Sequence, residues 1–496
     1  MRLRRNLLAG LANSIWSAIV GLVVVPLYLK YLGIEAYGLI GFFVTMQAVL
    51  QLLDLGLSPT INREFARCSA SGNLHEARNL LHSLAVIYLG MAVAIGLIIS
   101  ALSPLIAEHW LQFKELPKET VTYALMLIGL VIACRWPGGL YQGALMGGHR
   151  LTVSSGINIV MVTLASFGAV AVLAFVSPTI QAFFIWQAGV GLLYAASMRW
   201  AAWGMVGRKA EVRFDGGELK RIWRLSAGVS GIAILAVLLL QLDKVLLSRM
   251  LSLEDYGRYM LAVLVANVLL VLITPVFNVI YPRLSSLVAI GDTAELTKLY
   301  RSGTRLLAAT LFPIAIAVAV SSQDLVFLWT GNLELATSVA PLVSLLLIGT
   351  AINGVMIFPY ALQLAYGATR LAFTITAALI TVFVPMIILL VTSYGAVGGA
   401  LAWALLNCLY LVFGAWMTHR HLLKGLVLGW VTRDVGFPLV LALIIVLPGW
   451  ELAHVSGDHY MNLLLAGGLA LLAFWVTVLM QGTSTAKLWH EYQAEE

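Results

Sequence analysis

The sequence predicts an all-α integral membrane protein with about 14 transmembrane helices, and three observations support this fold class. Of the 496 residues, 61% are hydrophobic and only 11% are charged, whereas soluble domains carry about 25% charged residues. The mean hydropathy is +0.94. Apolar runs of about 20 residues, the length that crosses a bilayer as a helix, recur along the chain. Such a chain must fold with the bilayer as its solvent.

The predicted helices follow these apolar runs in chain order, and Gly, Pro or polar stretches separate them. The first run follows a basic head, as in a signal peptide, but its roughly 23 apolar residues are too many for a signal sequence. We therefore expect an uncleaved first helix. The predicted helices span residues 7–29, 37–59, 80–106, 121–146, 152–176, 180–203, 225–248, 257–281, 303–322, 336–363, 371–393, 396–418, 434–450 and 460–480.

Basic residues predict the orientation of these helices. If the N terminus is cytoplasmic, 23 of the 30 Lys and Arg residues fall in cytoplasmic segments, six lie near outer ends, and Arg135 lies within a helix. Lys and Arg are enriched in cytoplasmic loops, and an even number of helices places both termini on one side. We therefore expect both termini in the cytoplasm. The same enrichment explains the net charge of +7, so we expect no nucleic-acid partner.

The chain partly matches itself when it is shifted by 219 residues, which indicates an internal repeat. YLGIEAYGLIG at 31–41 aligns with MLSLEDYGRYM at 250–260, and SGNLHEARNLLHS at 71–83 aligns with IGDTAELTKLYRS at 290–302. Each copy has six helices, so we expect two parallel repeats related by an axis along the membrane normal. The predicted parts are an N-terminal six-helix half at 1–206, a cytoplasmic linker at 207–224, a C-terminal six-helix half at 225–420, and two additional transmembrane helices with a cytoplasmic tail at 421–496.

Arg135 lies near the midpoint of a predicted helix, in the stretch VIACRWPGGLYQG at 131–143. A charge at the bilayer centre costs about 3 kcal/mol on insertion scales, so its side chain should face protein or water. Gly139, Gly143 and Gly147 follow in steps of four, and such a stripe lets another helix approach closely. Two interpretations stay open: Arg135 pairs with a buried carboxylate and ties helices together, or it forms an anion site in a cavity.

Asp54 lies in the inner third of the second predicted helix. It is a candidate partner of Arg135, a candidate carrier of a coupled proton or sodium ion, or a group at a helix end. The repeat places Ile273 opposite Asp54 and Gly354 opposite Arg135. The fold therefore does not require these charges, and they need another explanation.

Two further pairs of charged residues are candidates for substrate binding. Asp243 and Lys244 lie toward the outer end of the seventh predicted helix, where they either compensate each other or face a site. Arg63 and Arg258 lie near opposite membrane surfaces, as interfacial anchors or substrate ligands. The sequence shows no phosphate loop, nucleophile motif or cluster of metal ligands, so we expect no catalytic residue, cofactor or metal. The three cysteines are far apart and indicate free thiols.

The order of several motifs resembles the Wzx-type polysaccharide flippases of the multidrug/oligosaccharidyl-lipid/polysaccharide superfamily, over most of the chain. The motifs are individually loose, but their order and the six-plus-six arrangement with two extra helices are typical of this family. They are LGxxxYG (Leu32, Gly33, Tyr37, Gly38), LDLGL followed by Arg (Asp54, Gly56, Arg63), Asp243-Lys244 before LSLEDYGRY, and YGAVGGALAWALLN at 394–407.

The resemblance implies a transporter of the bacterial inner membrane that flips undecaprenyl-pyrophosphate-linked oligosaccharide to the outer leaflet by alternating access. Such transport supplies O-antigen, capsule or exopolysaccharide synthesis, with a glycan polymerase and assembly proteins as possible partners. The family tends to carry cations in its central cavity, which Arg135 and Lys244 match. A planar guanidinium binds phosphate oxygens at two points and stays charged in a dry site.

Two other classes of function remain alternatives. A drug or small-molecule exporter of the same superfamily, coupled to an ion, would favour carboxylates over an arginine in the membrane. A glycan polymerase or glycosyltransferase commonly needs a sizeable outer loop, whereas the predicted outer loops have at most roughly 15 residues. An enzyme is therefore not expected, and a purely structural scaffold would leave the buried charges without a use.

Overall fold

Long apolar helices make up nearly all of the chain that the computed structural model describes. Eleven of them are long and apolar enough to cross a membrane. Two of the eleven contain a glycine with a non-helical backbone, Gly33 and Gly395, and so comprise two helices each. The described residues also contain a helix at 237–250. The eleven candidate spans confirm the predicted all-α membrane fold class. The described residues are 2–54, 56–71, 73–207, 235, 237–455 and 457–481.

The helices divide into two compact units, Met1–Gly257 and Arg258–Glu496. The first unit contains seven helices and the start of an eighth. A 3₁₀ turn, Gln51–Asp54, separates the first two of them. The helices are α1 (Arg2–Leu50), α2 (Leu57–Ser71), α3 (Leu74–His109), α4 (Lys118–Gly147), α5 (Leu151–Phe175), α6 (Ile180–Val206), α7 (237–250) and α8 (Leu253–Ala266).

The second unit contains the remaining helices and two stretches of π-helix, Tyr410–Gly414 and Trp430–Gly436. Its helix α10 packs against α12, α17 and α18. The helices are α9 (Leu270–Ile290), α10 (Thr293–Val320), α11 (Ser322–Thr330), α12 (Leu333–Val355), α13 (Ile357–Ala365), α14 (Thr369–Leu409), α15 (Ala415–Leu422), α16 (Val427–Gly429), α17 (Phe437–Ala453) and α18 (His459–Met480).

The second predicted helix, 37–59, ends earlier than the apolar pattern suggested. The helical path stops at Asp54, Gly56 has a φ of 73°, and α2 then begins at Leu57. Glycine adopts positive φ without steric cost, so it redirects the chain here. The sequence after Gly56 is apolar enough to extend a hydrophobic run, and only the backbone shows that the helix is interrupted.

Helix α4 is the central element of the first unit, where it packs against α2, α3 and α6. The predicted glycine stripe on α4 contacts α2. A Cβ built on Gly143 would lie 3.0 Å from the carbonyl oxygen of Ser58, and one on Gly147 would overlap the carbonyl oxygen of Asn62. These glycines therefore allow α2 to approach the backbone of α4, as the spacing predicted.

The predicted linker, 207–224, lies outside the described residues except for Gly207. The first ten residues of the seventh predicted helix and the tail after Gln481 also lie outside them. The division into two six-helix repeats and two additional helices stays a prediction.

Candidate functional site

A cavity of about 720 Å³ opens among the helices of the first unit. Helix α4 forms its longest wall, and α1, α2, α3, α5, α6 and α7 complete it. Among the described residues that line it, one cation, one carboxylate, several amides and three aromatic rings supply most of the polar and planar groups. They are Arg135, Asp54, Gln47, Gln51, Asn62, Gln142, Asn158, Tyr88, Trp136 and Tyr194.

The α4 side chains reach the cavity because of helical periodicity. Arg135, Gly139, Gln142 and Met146 follow each other in steps of four, three and four, which places them on one face of the helix. The absence of a side chain at Gly139 leaves space beside the arginine. The same helical face therefore supplies both the charge and the room for a ligand.

Arg135 is half-buried, and it lines this cavity. Within the part of the chain that the structure describes, it makes no hydrogen bond and no ion pair. The phenol of Tyr194 is near enough for electrostatic interaction, and the Arg135 stem packs against Gly191 of α6. A guanidinium has five N–H donors, so these donors are available to water or to a bound anion.

Asp54 lines the same cavity, but its carboxylate already has protein partners. The backbone N–H of Ser58 donates to Oδ2 at 3.0 Å, and the Ser58 hydroxyl donates to Oδ1 at 3.1 Å. The Tyr88 hydroxyl also donates to Oδ1. Asp54 therefore occupies a helix end and stabilises the start of α2, as one of the three sequence interpretations predicted. Its role in ion coupling stays a prediction.

Asp243 and Lys244 form an ion pair on α7. The Lys244 ammonium lies 2.9 and 3.0 Å from the two Asp243 carboxylate oxygens and donates to the carbonyl of Leu240 at 2.8 Å. The Asp243 side chain is 1% exposed. The two charges compensate each other, and neither is among the described residues that line the cavity.

The remaining two candidates are not among the described residues that line the cavity. Arg63 is exposed on α2, one residue after the cavity residue Asn62. Arg258 is half-buried on α8 and is the first residue of the second unit. Of the six charged candidates, the structure therefore brings together Arg135 and Asp54 in one cavity.

Sequence reasoning missed the aromatic groups of this site. The Trp136 indole N–H is buried and has no hydrogen-bond partner among the described residues, and its ring centre lies 6.5 Å from that of Tyr88. The Tyr194 hydroxyl donates to Gln142 at 3.1 Å. In an apolar run, the sequence does not distinguish an aromatic residue that lines the site from one that packs in the core. The spacing from Arg135 could have identified Gln142, but not Tyr88 or Tyr194.

The chemistry of the cavity suits a ligand that carries both an anion and hydroxyl groups. The guanidinium can bind phosphate or carboxylate oxygens, amides can exchange hydrogen bonds with hydroxyls, and the aromatic rings offer flat apolar faces. The described residues contain no group of three His, Cys, Asp or Glu residues able to hold a metal ion.

Comparisons with solved structures show a transporter fold. The lipid II flippase MurJ in an inward closed conformation aligns with a TM-score of 0.69 at 14% identity, over 96% of this chain and 99% of that one. An inward-facing multidrug resistance MATE family transporter of the MOP superfamily aligns with a TM-score of 0.64 at 15% identity, over 84% and 94%. The MATE transporter DinF-BH aligns with a TM-score of 0.55 at 16% identity, over 88% and 96%.

The sequence comparisons give the family. No curated protein matches the chain significantly. A family model described as polysaccharide biosynthesis protein matches residues 3–288, which is more than half of the chain and includes the whole cavity. This match confirms the family resemblance expected from the motifs, and the chain belongs to the polysaccharide biosynthesis protein family.

Proposed function

We propose that this protein flips undecaprenyl-pyrophosphate-linked oligosaccharide from the cytoplasmic to the outer leaflet of the bacterial inner membrane. The transported repeat units serve O-antigen, capsule or exopolysaccharide synthesis. The observation that carries the proposal is Arg135, which lines a membrane cavity and makes no hydrogen bond or ion pair with the described residues. The family and the transporter fold support a role in transport, and no covalent chemistry is needed.

The physical barrier to this transport is the polar headgroup. A pyrophosphate and its sugars lose their hydration in hydrocarbon, whereas the lipid tail can stay in the bilayer throughout. A cavity of about 720 Å³ is within the usual range for ligand pockets of about 300–1,000 Å³. Arg135 would bind the pyrophosphate or an acidic sugar, and the amides and aromatic rings would contact the sugars. Alternating access of the cavity to the two sides would complete the transfer.

An ion-coupled exporter of the same superfamily is the second candidate, because the carboxylate of Asp54 also lines the cavity. A cationic drug would need the negative charge of Asp54 as its partner. The Asp54 oxygens already accept three hydrogen bonds from Ser58 and Tyr88, whereas Arg135 has unused donors. The balance of available groups therefore favours an anionic ligand.

The deciding experiment measures the sidedness of lipid-linked oligosaccharide in cells with and without this protein. We expect the oligosaccharide to accumulate on the cytoplasmic face when the protein is absent and to reach the outer face when it is restored. Unchanged amount and sidedness, in a strain without a redundant transporter, would contradict the proposal. Cationic drug efflux under an imposed proton or sodium gradient would then test the exporter.

A further inference from the structure

A second pocket, of about 640 Å³, lies in the second unit where α15 ends and α16 begins. Helix α15 ends the membrane-spanning segment Thr369–Leu422, so the pocket lies at the end of such a segment. The distribution of Lys and Arg predicts that this end faces the cytoplasm.

Basic side chains form the polar part of the pocket wall. Arg420, His421 and Lys424 are exposed there, and no acidic residue is among the described residues of the wall. The described contacts give the Lys424 ammonium no hydrogen bond and no ion pair. The Arg420 guanidinium lies over Trp416, 5.3 Å from the ring centre. This cation–π contact holds the guanidinium near the ring. The described contacts give the Arg420 guanidinium no hydrogen bond and no ion pair.

A buried carboxylate that follows α16 in the chain, Asp434, does not compete for these cations, because it already has cationic partners. Asp434, on the π-helix after α16, is fully buried between Arg301 at 2.7 Å and Arg305 at 2.5 Å. A guanidinium nitrogen of Arg301 lies 4.0 Å from the position of a Cβ on Gly429 of α16. One carboxylate between two guanidiniums leaves one excess positive charge beside the pocket, which further favours an anion.

Exposed apolar side chains flank the basic wall. Trp416 is 43% exposed and Leu428 is 73% exposed. Trp is enriched at the level of lipid headgroups, with its ring partly in the apolar layer. A basic pocket with an apolar flank suits a phosphate at the membrane surface, because the cations can bind the phosphate while the apolar side chains contact the bilayer.

We propose that this pocket binds a phosphate group at the membrane surface, with Arg420 and Lys424 as its ligands. The phosphate belongs either to the headgroup of an anionic phospholipid or to a free phosphate compound, and the chemistry of recognition is the same. The site belongs to a different unit from Arg135 and does not depend on the transported substrate.

The test is binding of dioctanoyl phosphatidylglycerol to the purified full-length protein in nonionic detergent, followed by calorimetry. Dioctanoyl phosphatidylcholine is the zwitterionic control, and glycerol 3-phosphate is the free phosphate. We expect Arg420→Gln/Lys424→Gln to weaken phosphatidylglycerol binding by about tenfold or more, because charge-assisted hydrogen bonds are lost. The matched control is Arg370→Gln/Arg433→Gln, which removes two exposed arginines that do not line the pocket and should bind as the unmodified protein does.

The outcomes distinguish a lipid phosphate from a free phosphate. They also distinguish the basic pocket at α15 from the cavity that contains Arg135. Binding of phosphatidylglycerol alone identifies a lipid site, and equal binding of glycerol 3-phosphate identifies a site for free phosphate. Lys424→Gln alone serves if loss of the Arg420 stack impairs folding, and it should also weaken binding. The proposal would be overturned if Arg420→Gln/Lys424→Gln and Lys424→Gln both kept the affinity of the unmodified protein. It would also be overturned if the unmodified protein bound neither phosphatidylglycerol nor glycerol 3-phosphate. Arg135→Gln should bind phosphatidylglycerol normally, so this result is independent of the transport assay.

Discussion

Several buried carboxylates in the described chain have cationic partners, whereas the Arg135 guanidinium has no hydrogen bond or ion pair there. An isolated charge away from water is unfavourable, so a folded protein keeps one where water or a ligand can reach it. The cavity provides that access. The paired groups are Asp243 with Lys244, Asp434 with Arg301 and Arg305, and Glu64 with Arg67.

At the scale of single residues, the first prediction concerns the charge of Arg135. We expect Arg135→Gln to abolish transport of lipid-linked oligosaccharide and Arg135→Lys to keep part of it, since an ammonium retains the charge but not the two-point geometry. Arg150→Gln removes an exposed arginine at the start of α5 and is the control. The measurement is the sidedness assay at matched protein levels. Normal transport by Arg135→Gln would rule out an anion site at this residue.

The second prediction separates the charge of Asp54 from its structural role. Asn and Asp are about equally good at the N-terminal end of a helix. The amide oxygen of Asp54→Asn can still accept from the Ser58 backbone N–H, and its NH2 group can donate to the Ser58 and Tyr88 hydroxyls, which also act as acceptors. If Asp54 couples transport to protons or sodium, transport by Asp54→Asn will lose its dependence on the imposed ion gradient while thermal stability stays unchanged.

Asp54→Ala provides the structural control, because it removes the hydrogen bonds and should cost about 1 kcal/mol of stability. Gradient dependence that persists in Asp54→Asn would show that this carboxylate does not carry the coupling ion. Its contribution would then be limited to the start of α2.

At the scale of elements, the contact between α4 and α6 positions Arg135. A Cβ built on Gly191 would lie 2.7 Å from Cγ of Arg135, whereas one on Gly189 would meet no atom within 4 Å. Contacts shorter than about 3 Å force atoms apart. The two glycines are two residues apart on the same helix. A substitution at Gly191 therefore tests the position of Arg135, and the same substitution at Gly189 is the control.

We therefore expect Gly191→Ala to displace the Arg135 side chain and to lower transport about tenfold or more, because small displacements of a positioning group have large effects. Gly189→Ala should transport normally, with stability equal or slightly higher because Ala favours helix. The measurement is transport per folded protein, with thermal unfolding as the check on stability. Equal transport by the two variants would show that the Arg135 position does not limit the rate.

At the scale of the whole molecule, the orientation predicted from Lys and Arg can be tested by cysteine labelling. Because α4 spans the membrane, residues before and after it should lie on opposite sides. Glu115 precedes α4 and Arg150 follows it, and both are exposed. In a background without the three native free cysteines, Cys68, Cys134 and Cys408, an impermeant maleimide should label Glu115→Cys in intact spheroplasts.

In the same background, Arg150→Cys should react only after permeabilisation. The labelled fraction of each variant, with and without detergent, is the measurement. The reverse pattern would invert the topology and would place the basic pocket at α15 on the outer side.

The sequence by itself determined that this is a helical membrane protein and located its unusual charges. The bilayer determines the length of each apolar run and the cost of each buried charge locally. Composition and spacing are therefore sufficient to predict the helices and to locate the charges. Helical periodicity also predicted the glycine stripe at Gly143 and Gly147 and its contact with a neighbouring helix.

Only the tertiary structure decided which groups meet. Asp54 and Tyr88 are 34 residues apart, and Asp434 and Arg301 are 133 residues apart, so local patterns do not indicate these contacts. Because of how the helix faces pack, Asp54 is hydrogen-bonded and Lys244 is paired with its neighbour, whereas Arg135 makes no hydrogen bond or ion pair with the described residues. Packing across long sequence separations therefore distinguishes structural charges from a charge that is available for a ligand.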